Sequence, residues 1–292
     1  MKEYTNAIEL RDVTKKYDGF TLDRISFNVP KGCIMGFIGQ NGAGKTTTIR
    51  SLLHITNIDG GEIKMLGLDH IGDEQEIKDR ISVVLDDIPF HEMLTAKDIG
   101  RIFEGLYTRW DNSVYQQYLK RFGLPEKKKT GQFSKGMKMK LQIACALSHN
   151  AELLIMDEPT AGLDPIIRDE ILHIFMEYLQ DGERSILLSS HITSDLEKIA
   201  DSVTYIDNGK ILISGYKDEL LESHGVIKCS KKELSNIDST DIISVRINAY
   251  GAQAMVWDRQ AVQYKYSGHM IEPTTLEEIM LFYVNRDKKE WS

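Results

Sequence analysis

The chain has 292 residues, 41% of them hydrophobic and 27% charged, with a formal net charge of −8. That is the composition of a globular protein with room for one large α/β domain and an appendage, and the acidic balance argues against general affinity for nucleic acid or anionic membranes. No apolar run approaches the ~20 residues that cross a bilayer. Residues 1–6 have no apolar core behind their charge. Three scattered cysteines, Cys33, Cys145 and Cys229, offer neither a disulfide framework nor a zinc spacing. A cytosolic chain is expected, with Cys33 and Cys145 as small core residues because they sit in apolar stretches.

Residues 1–30 alternate apolar and polar, which predicts strands around 8–10 and 25–29 with a turn at Asp18-Gly19. The apolar run Ile34–Ile38 reads as a buried strand. It leads into Gly39-Gln40-Asn41-Gly42-Ala43-Gly44-Lys45-Thr46, a G-x-x-x-x-G-K-[ST] phosphate loop, and residues 47–53 read as the first turns of a helix. Glycines let backbone N–H groups turn inward around a phosphate chain, where bulkier residues would resist a positive φ. The helix start adds unsatisfied donors and the positive end of a dipole. Lys45 can reach the β/γ-phosphates of a nucleotide and the Thr46 hydroxyl can ligate Mg²⁺.

Asp59-Gly60-Gly61 marks the next turn, followed by an expected edge strand over 63–66 and a buried strand over 81–85 that ends in Asp86-Asp87. From about 90 to 150 the period becomes helical. Ile99, Ile102, Phe103 and Leu106 form one stripe, and Tyr115, Tyr118, Leu119 and Phe122 another. Residues 120–140 hold eight bases against the single acid Glu126, read as a solvated face beside a phosphate site. Ser134 is placed to N-cap a helix, so that its hydroxyl, the Gly136 backbone and the helix dipole form an anion site.

The α/β pattern resumes at 153–156, an apolar strand that delivers Asp157 and Glu158 at its end. In phosphate-loop enzymes the first such acid binds Mg²⁺ directly or through water. The next is placed to take a proton from an attacking water. Asp164-Pro165 reads as an N-cap with proline in the first turn, opening a helix that buries Ile167, Ile171, Ile174 or Phe175, and Tyr178 and stops at Asp181-Gly182. A strand over 186–190 ends at His191, and Ser194 with Glu197 reads as a capping box. Residues 203–206 and 210–213 form a hairpin around Asp207-Asn208-Gly209. From about 222 the chain reads as a small separate module with a strand near 242–245 and a helix near 274–285.

These stretches, residues 39–47, 133–147, 153–165 and 189–191, resemble in order and spacing the ATP-binding subunits of ABC transporters, over about residues 1–222. The resemblance implies an α/β P-loop NTPase core with an antiparallel β subdomain and a helical subdomain at about 90–150, followed by a small C-terminal α+β module at 223–292. It implies ATP and Mg²⁺ as ligands. Gly39, Gln40, Asn41, Gly42, Ala43, Gly44, Lys45, Thr46 and Thr47 would cradle the phosphates, and Tyr17 would stack on adenine. Thr46 and Asp157 would hold the metal, and Glu158 and His191 would serve catalysis, His191 as the switch histidine at the γ-phosphate. It further implies a head-to-tail dimer of ATPase subunits, the same or different, in which Ser134 and Gly136 meet ATP on the partner, with residues 161–164 running along the seam. A separate permease subunit would supply the membrane spans and hold the chain on the cytoplasmic face. The apolar residues Ile88, Pro89, Phe90, Met93 and Leu94 are the candidate surface for docking it.

Three positions depart from the family pattern. Where the family usually has Leu-Ser-Gly-Gly-Gln, this chain has Phe133-Ser134-Lys135-Gly136-Met137; the serine and second glycine persist, and Lys135 adds a cation. Asp86 (or Asp87) stands where a glutamine contacts Mg²⁺, and Gln40 replaces a proline. The signature turn, residues 85–90 and the tail at 276–283 resemble a bacterial subgroup of exporters linked to acetoin use or to peptide and cell-wall antibiotics. Two other readings remain open: a soluble ABC-type ATPase acting outside transport, and a low-turnover nucleotide-gated regulator. Against them stand the single set of motifs with no sustained heptads, and the retained Glu158 and His191.

Overall fold

The computed structural model describes residues 4–86, 90–248 and 251–286; Asp87, Ile88 and Pro89 lie outside these. A hairpin of β1 (Asn6–Tyr17) and β2 (Phe20–Pro30) opens the chain. β3 (Ile34–Ile38) runs through the glycine loop into α1 (Lys45–Leu52). β4 (Gly60–Met65) and the short β5 (Leu68–Asp69) return to the hairpin, making an antiparallel sheet ordered β2-β1-β4-β5. The strand expected at an edge is therefore one place in, shielded by the two-residue β5.

α2 (Glu74–Arg80) leads to β6 (Ile81–Val84), and the helical part follows as α3 (Ala96–Leu106), α4 (Asn112–Arg121) and α5 (Lys135–Ser148). Then come β7 (Leu153–Asp157), α6 (Pro165–Tyr178), β8 (Ser185–Ser190), α7 (Thr193–Ile199), β9 (Ser202–Asp207) and β10 (Lys210–Tyr216). The second sheet is ordered β10-β9-β3-β8-β7-β6 and is parallel apart from β10. α8 (Lys217–Ser223) leads to β11 (His224–Cys229), α9 (Lys231–Leu234), β12 (Ile242–Asn248), β13 (Gly251–Trp257), α10 (Arg259–Lys265), β14 (Ile271–Glu272) and α11 (Leu276–Val284). Their strands form a third, antiparallel sheet, β12-β13-β11-β14.

The unbroken apolar runs of β3, β7 and β8 follow from burial on both faces of a parallel sheet. Successive side chains point to opposite faces. Ile34, Ile38, Leu154, Met156, Ile186 and Leu188 enter one core with residues of α5, α6 and α7. Met35, Phe37, Leu153, Ile155 and Leu187 enter the other with Ile49 of α1 and the β1–β2 hairpin. Three layers thus clamp the strand whose end carries the glycine loop. Glu152, just before β7, staples the parts together: it accepts from Arg80 at 2.7 and 3.0 Å, from Arg109 at 2.8 Å and from the Tyr4 hydroxyl at 3.2 Å.

Several expectations change in detail. On α3, Ile99 is buried, but Ile102 is 44% and Leu106 69% exposed. Phe103 packs on the core, and with Leu106 it lines an open groove of about 580 Å³ shared with Leu53, Ile55, Leu85 and Phe90. The α4 stripe does bury Tyr115, Leu119 and Phe122, and in α6 Ile174 and Phe175 are both fully buried. The capping box at Ser194 does not form. α7 starts two residues earlier, with Ile192 as a cap that makes no side-chain bond, and Glu197 instead accepts from the N–H of Leu276 at 2.6 Å. That bond docks α11 on α7, and Leu276, Ile279, Phe282 and Tyr283 share the core of the main sheet. Cys145 is buried as expected, while Cys33 is only half-buried. Of the bases at 120–140, Arg121, Lys135 and Lys140 are paired, to Glu177, Asp86 and Glu170.

Candidate active site

The glycine loop is pinned by backbone geometry. A Cβ on Gly39 would lie 2.6 Å from the carbonyl oxygen of Ile206 on β9, a distance no side chain tolerates. Gly44 caps α1 at φ +119°, which other residues resist. Between them, Ala43 N–H donates to Gln40 O at 3.1 Å, leaving Gln40, Asn41 and Gly42 exposed at the mouth, with Thr46 exposed and Thr47 half-buried at the helix start. The first turn of α1 carries no acid, so the positive end of the helix dipole is not neutralised from within.

Lys45, only 5% exposed, donates from Nζ to Gly39 O at 2.7 Å and Gln40 O at 3.3 Å. Its Nζ also lies 3.0 Å from Glu158 Oε1. That carboxylate oxygen is buried and receives no well-angled hydrogen bond among the described residues, so the contact is one of charge. An orphaned buried oxygen facing a buried ammonium is the kind of group that a ligand satisfies.

β7 carries Asp157 to the foot of the loop, 2% exposed. Thr46 Oγ1 donates to Asp157 Oδ2 at 2.8 Å, and Ser189 Oγ on the neighbouring strand β8 donates to Asp157 Oδ1 at 2.5 Å. The same Ser189 oxygen accepts from the Glu158 N–H at 3.0 Å. Glu158 leaves the strand in a left-handed conformation, φ +51°, an uncommon state for a residue with a side chain and one that clusters at active sites. This turn brings its Oε2 to 2.8 Å from His191 Nδ1 at the end of β8. Lys45, Thr46, Asp157, Glu158 and His191 therefore form one contiguous group, as the strand order β3-β8-β7 requires.

The other expected residues stand apart from that group. Ser134 N-caps α5, accepting from Met137 N–H at 3.2 Å, and a Cβ on Gly136 would lie 3.4 Å from Leu163. Both lie on an open surface of the same chain. Tyr17 is 48% exposed at the end of β1, with Lys15 Nζ 5.5 Å from its ring centroid. Asp86 pairs with Lys135, and none of its described hydrogen bonds or ion pairs involves Thr46 or Asp157. Ser189 was not singled out from the sequence; a serine closing an otherwise apolar strand is the signal that marks it.

Hydroxyl and carboxylate oxygens side by side on Thr46 and Asp157 are hard donors of the kind Mg²⁺ takes. Among the described residues no group of three or more His, Cys, Asp or Glu could hold a metal by itself. A cation held there would draw its remaining ligands from phosphate and water.

A buried parallel strand, a glycine loop capping a helix, and a strand-end acid pair on the loop's lysine and threonine define a P-loop nucleoside triphosphatase. The profile of the family described as "ABC transporter" matches residues 22–161. The bacitracin transport ATP-binding protein BcrA of Bacillus licheniformis is 39% identical over 211 residues, 71% of this chain and 69% of the relative. The Nod factor export ATP-binding protein I of Sinorhizobium fredii is 30% identical over 304 residues, 97% of this chain and 88% of the relative. A solved ATP-binding subunit of an ABC transporter superposes with a TM-score of 0.67 at 28% identity, covering 73% of this chain and 91% of that one. The chain belongs to the ABC transporter ATP-binding proteins and is an ATPase of that family.

Proposed function

We propose that this chain hydrolyses MgATP to drive export through a separate membrane subunit, with residues 1–222 as the ATPase domain and 223–292 as an accessory module. The observation that carries the chemistry is the Glu158 carboxylate, set between Lys45 Nζ at 3.0 Å and His191 Nδ1 at 2.8 Å. The backbone of residues 39–47 cradles the phosphates, Lys45 neutralises the β/γ pair, and Tyr17 offers its open ring face to the base. Thr46 and Asp157 would hold Mg²⁺, which would supply charge stabilisation to the transferring phosphoryl group. Glu158 takes the proton of the attacking water. The water oxygen bonds to the γ-phosphorus as the bond to the bridging oxygen breaks, and ADP leaves. His191 holds the carboxylate in place while the proton arrives.

The exposed cap at Ser134 and Gly136 supports a shared site in which two ATPase subunits close head to tail on ATP. It is an anion-binding helix start with no acid in its first turn, yet it takes no part in its own chain's catalytic group. The groove beside Phe90, Phe103 and Leu106 suits a short apolar helix of the membrane subunit. Of the residues expected there, Phe90 lines the groove, Met93 is 60% exposed and Leu94 packs on the core. No helix among the described residues is long and apolar enough to cross a membrane; a peripheral location at the cytoplasmic face follows from the proposed permease partner. Relatives named for bacitracin transport, daunorubicin/doxorubicin resistance and Nod factor export support the export direction.

The test is Glu158→Gln. Hydrolysis should fall by roughly 10²–10⁴ with ATP binding retained, and an ATP-dependent dimer should accumulate in size exclusion. A variant that stays monomeric with MgATP, even beside its membrane partner, would rule out the shared site.

A further inference from the structure

Two of the positions that depart from the family pattern, Asp86 and Lys135, are joined to each other. Asp86 stands just past the end of β6, and Lys135 opens α5; Lys135 Nζ lies 3.2 Å from Asp86 Oδ1. Seven residues along α5, on the same face of the helix, Gln142 makes a second tie. Its side-chain oxygen accepts from Leu85 N–H at 3.3 Å and its amide donates to Leu85 O at 3.2 Å. One face of α5 therefore grips two successive residues where the sheet ends. The inner grip is a buried amide, 4% exposed. The outer grip is an ion pair whose side chains are 54% and 53% exposed.

The surroundings tie this grip to the site. Lys135 Nζ is 3.9 Å from where a Cβ on Gly162 would sit, and Gly136 packs beside Leu163. The signature turn thus rests on the loop that follows Glu158. Leu85 and Gln142 also line the apolar groove. A body seated in that groove touches the inner grip directly, and the outer grip lies one residue further along the chain.

We infer that Asp86 is a positioning residue for the signature turn, acting through Lys135, and is not a metal ligand. The division of labour follows from burial. The Gln142–Leu85 exchange replaces backbone bonds that would otherwise go unmet, so it holds the junction together. The half-exposed ion pair is too weak to hold the fold, but it restricts a long lysine side chain and so sets where Ser134 and Gly136 present their donors. Displacement of residues 85–86 from the groove side carries the signature turn with it. The inference rests on the proposed role of Ser134 and Gly136 in meeting phosphate.

The experiment measures MgATP turnover of the full chain and the ATP-dependent dimer in the Glu158→Gln background. The variants are Asp86→Asn, Lys135→Gln, their double, and the swap Asp86→Lys/Lys135→Glu. Each single should lower turnover and dimer formation about 2–5-fold, the range of an exposed ion pair, and the double should be no worse than either single. The swap should recover at least half of the loss, and the Mg²⁺ concentration for half-maximal turnover should stay within about 2-fold. Singles without effect, a swap no better than the singles, or a tenfold rise in Mg²⁺ requirement for Asp86→Asn would each overturn the inference. Absence of the dimer in Glu158→Gln alone, with swap rescue of turnover intact, would instead count against the shared site.

Discussion

Replacing Ser189 with alanine isolates the support beneath Asp157 and Glu158. The serine is fully buried on β8, where Asp157 of β7 is its register partner, so alanine preserves the strand and removes one oxygen. That oxygen donates to Asp157 Oδ1 at 2.5 Å and accepts from Glu158 N–H at 3.0 Å. The first bond is charge-assisted and its loss costs about 1.5–3 kcal/mol. The second loss is small, because the Glu158 N–H also reaches Ser189 O at 3.2 Å. A total of about 2–3 kcal/mol follows, expressed partly as a lower urea midpoint and partly as freedom of Asp157 to rotate about its bond to Thr46. Loss of a residue that orients a metal ligand usually weakens metal affinity or activity about 10–100-fold. Turnover should therefore be measured against Mg²⁺ at fixed ATP, with a urea titration on the same samples. The half-saturating Mg²⁺ should rise by at least tenfold while the folded signal at low urea is retained. A variant with wild-type Mg²⁺ dependence and wild-type turnover would show that Ser189 does not orient Asp157.

Lys45→Ala should abolish tight ATP binding or turnover, since the β/γ-phosphate charge loses its buried cation; wild-type steady-state hydrolysis would refute the loop assignment. Glu152 gives a pH prediction. Burial opposes its ionisation, but hydrogen bonds from Arg80 and Arg109 prevail and hold its carboxyl at about 2, below the ordinary 4.5. Its extra stability is therefore present above about pH 4.5 and lost as pH falls toward about 2. At neutral pH Glu152→Gln should cost about 2 kcal/mol after allowance for solvent screening, and the gap from wild type in denaturant titrations should close on acidification. An unchanged gap down to pH 3 would remove the staple from the account. Leu106→Glu changes a side chain that is 69% exposed, so folding and ATP binding should persist while recruitment to membranes bearing the permease subunit is lost. Normal flotation with such vesicles would place the docking surface elsewhere.

Local chemistry alone was enough to read the glycine loop and the acids at the strand end. The glycines at 39, 42 and 44, the lysine behind them and the acid pair after four apolar residues each follow from backbone geometry and charge at one point of the chain. So do the Asp164 cap, which accepts from Ile166 and Ile167 N–H, and the hairpin at residues 207–209. What tertiary structure decided is which groups meet across distant segments. Nothing in the period of α3 says that Leu106 faces a groove and not a core, because an apolar stripe has the same spacing whether its partner is inside the chain or outside it. Ser194 and Glu197 carry the local signal of a capping box, yet Glu197 is taken by the N–H of Leu276, 79 residues away. Asp86 and Lys135, read separately as two departures from a family pattern, become one pair only when α5 is laid against the end of β6. Ser189 acquires its role only because β8 lies beside β7, where one hydroxyl can serve both acids.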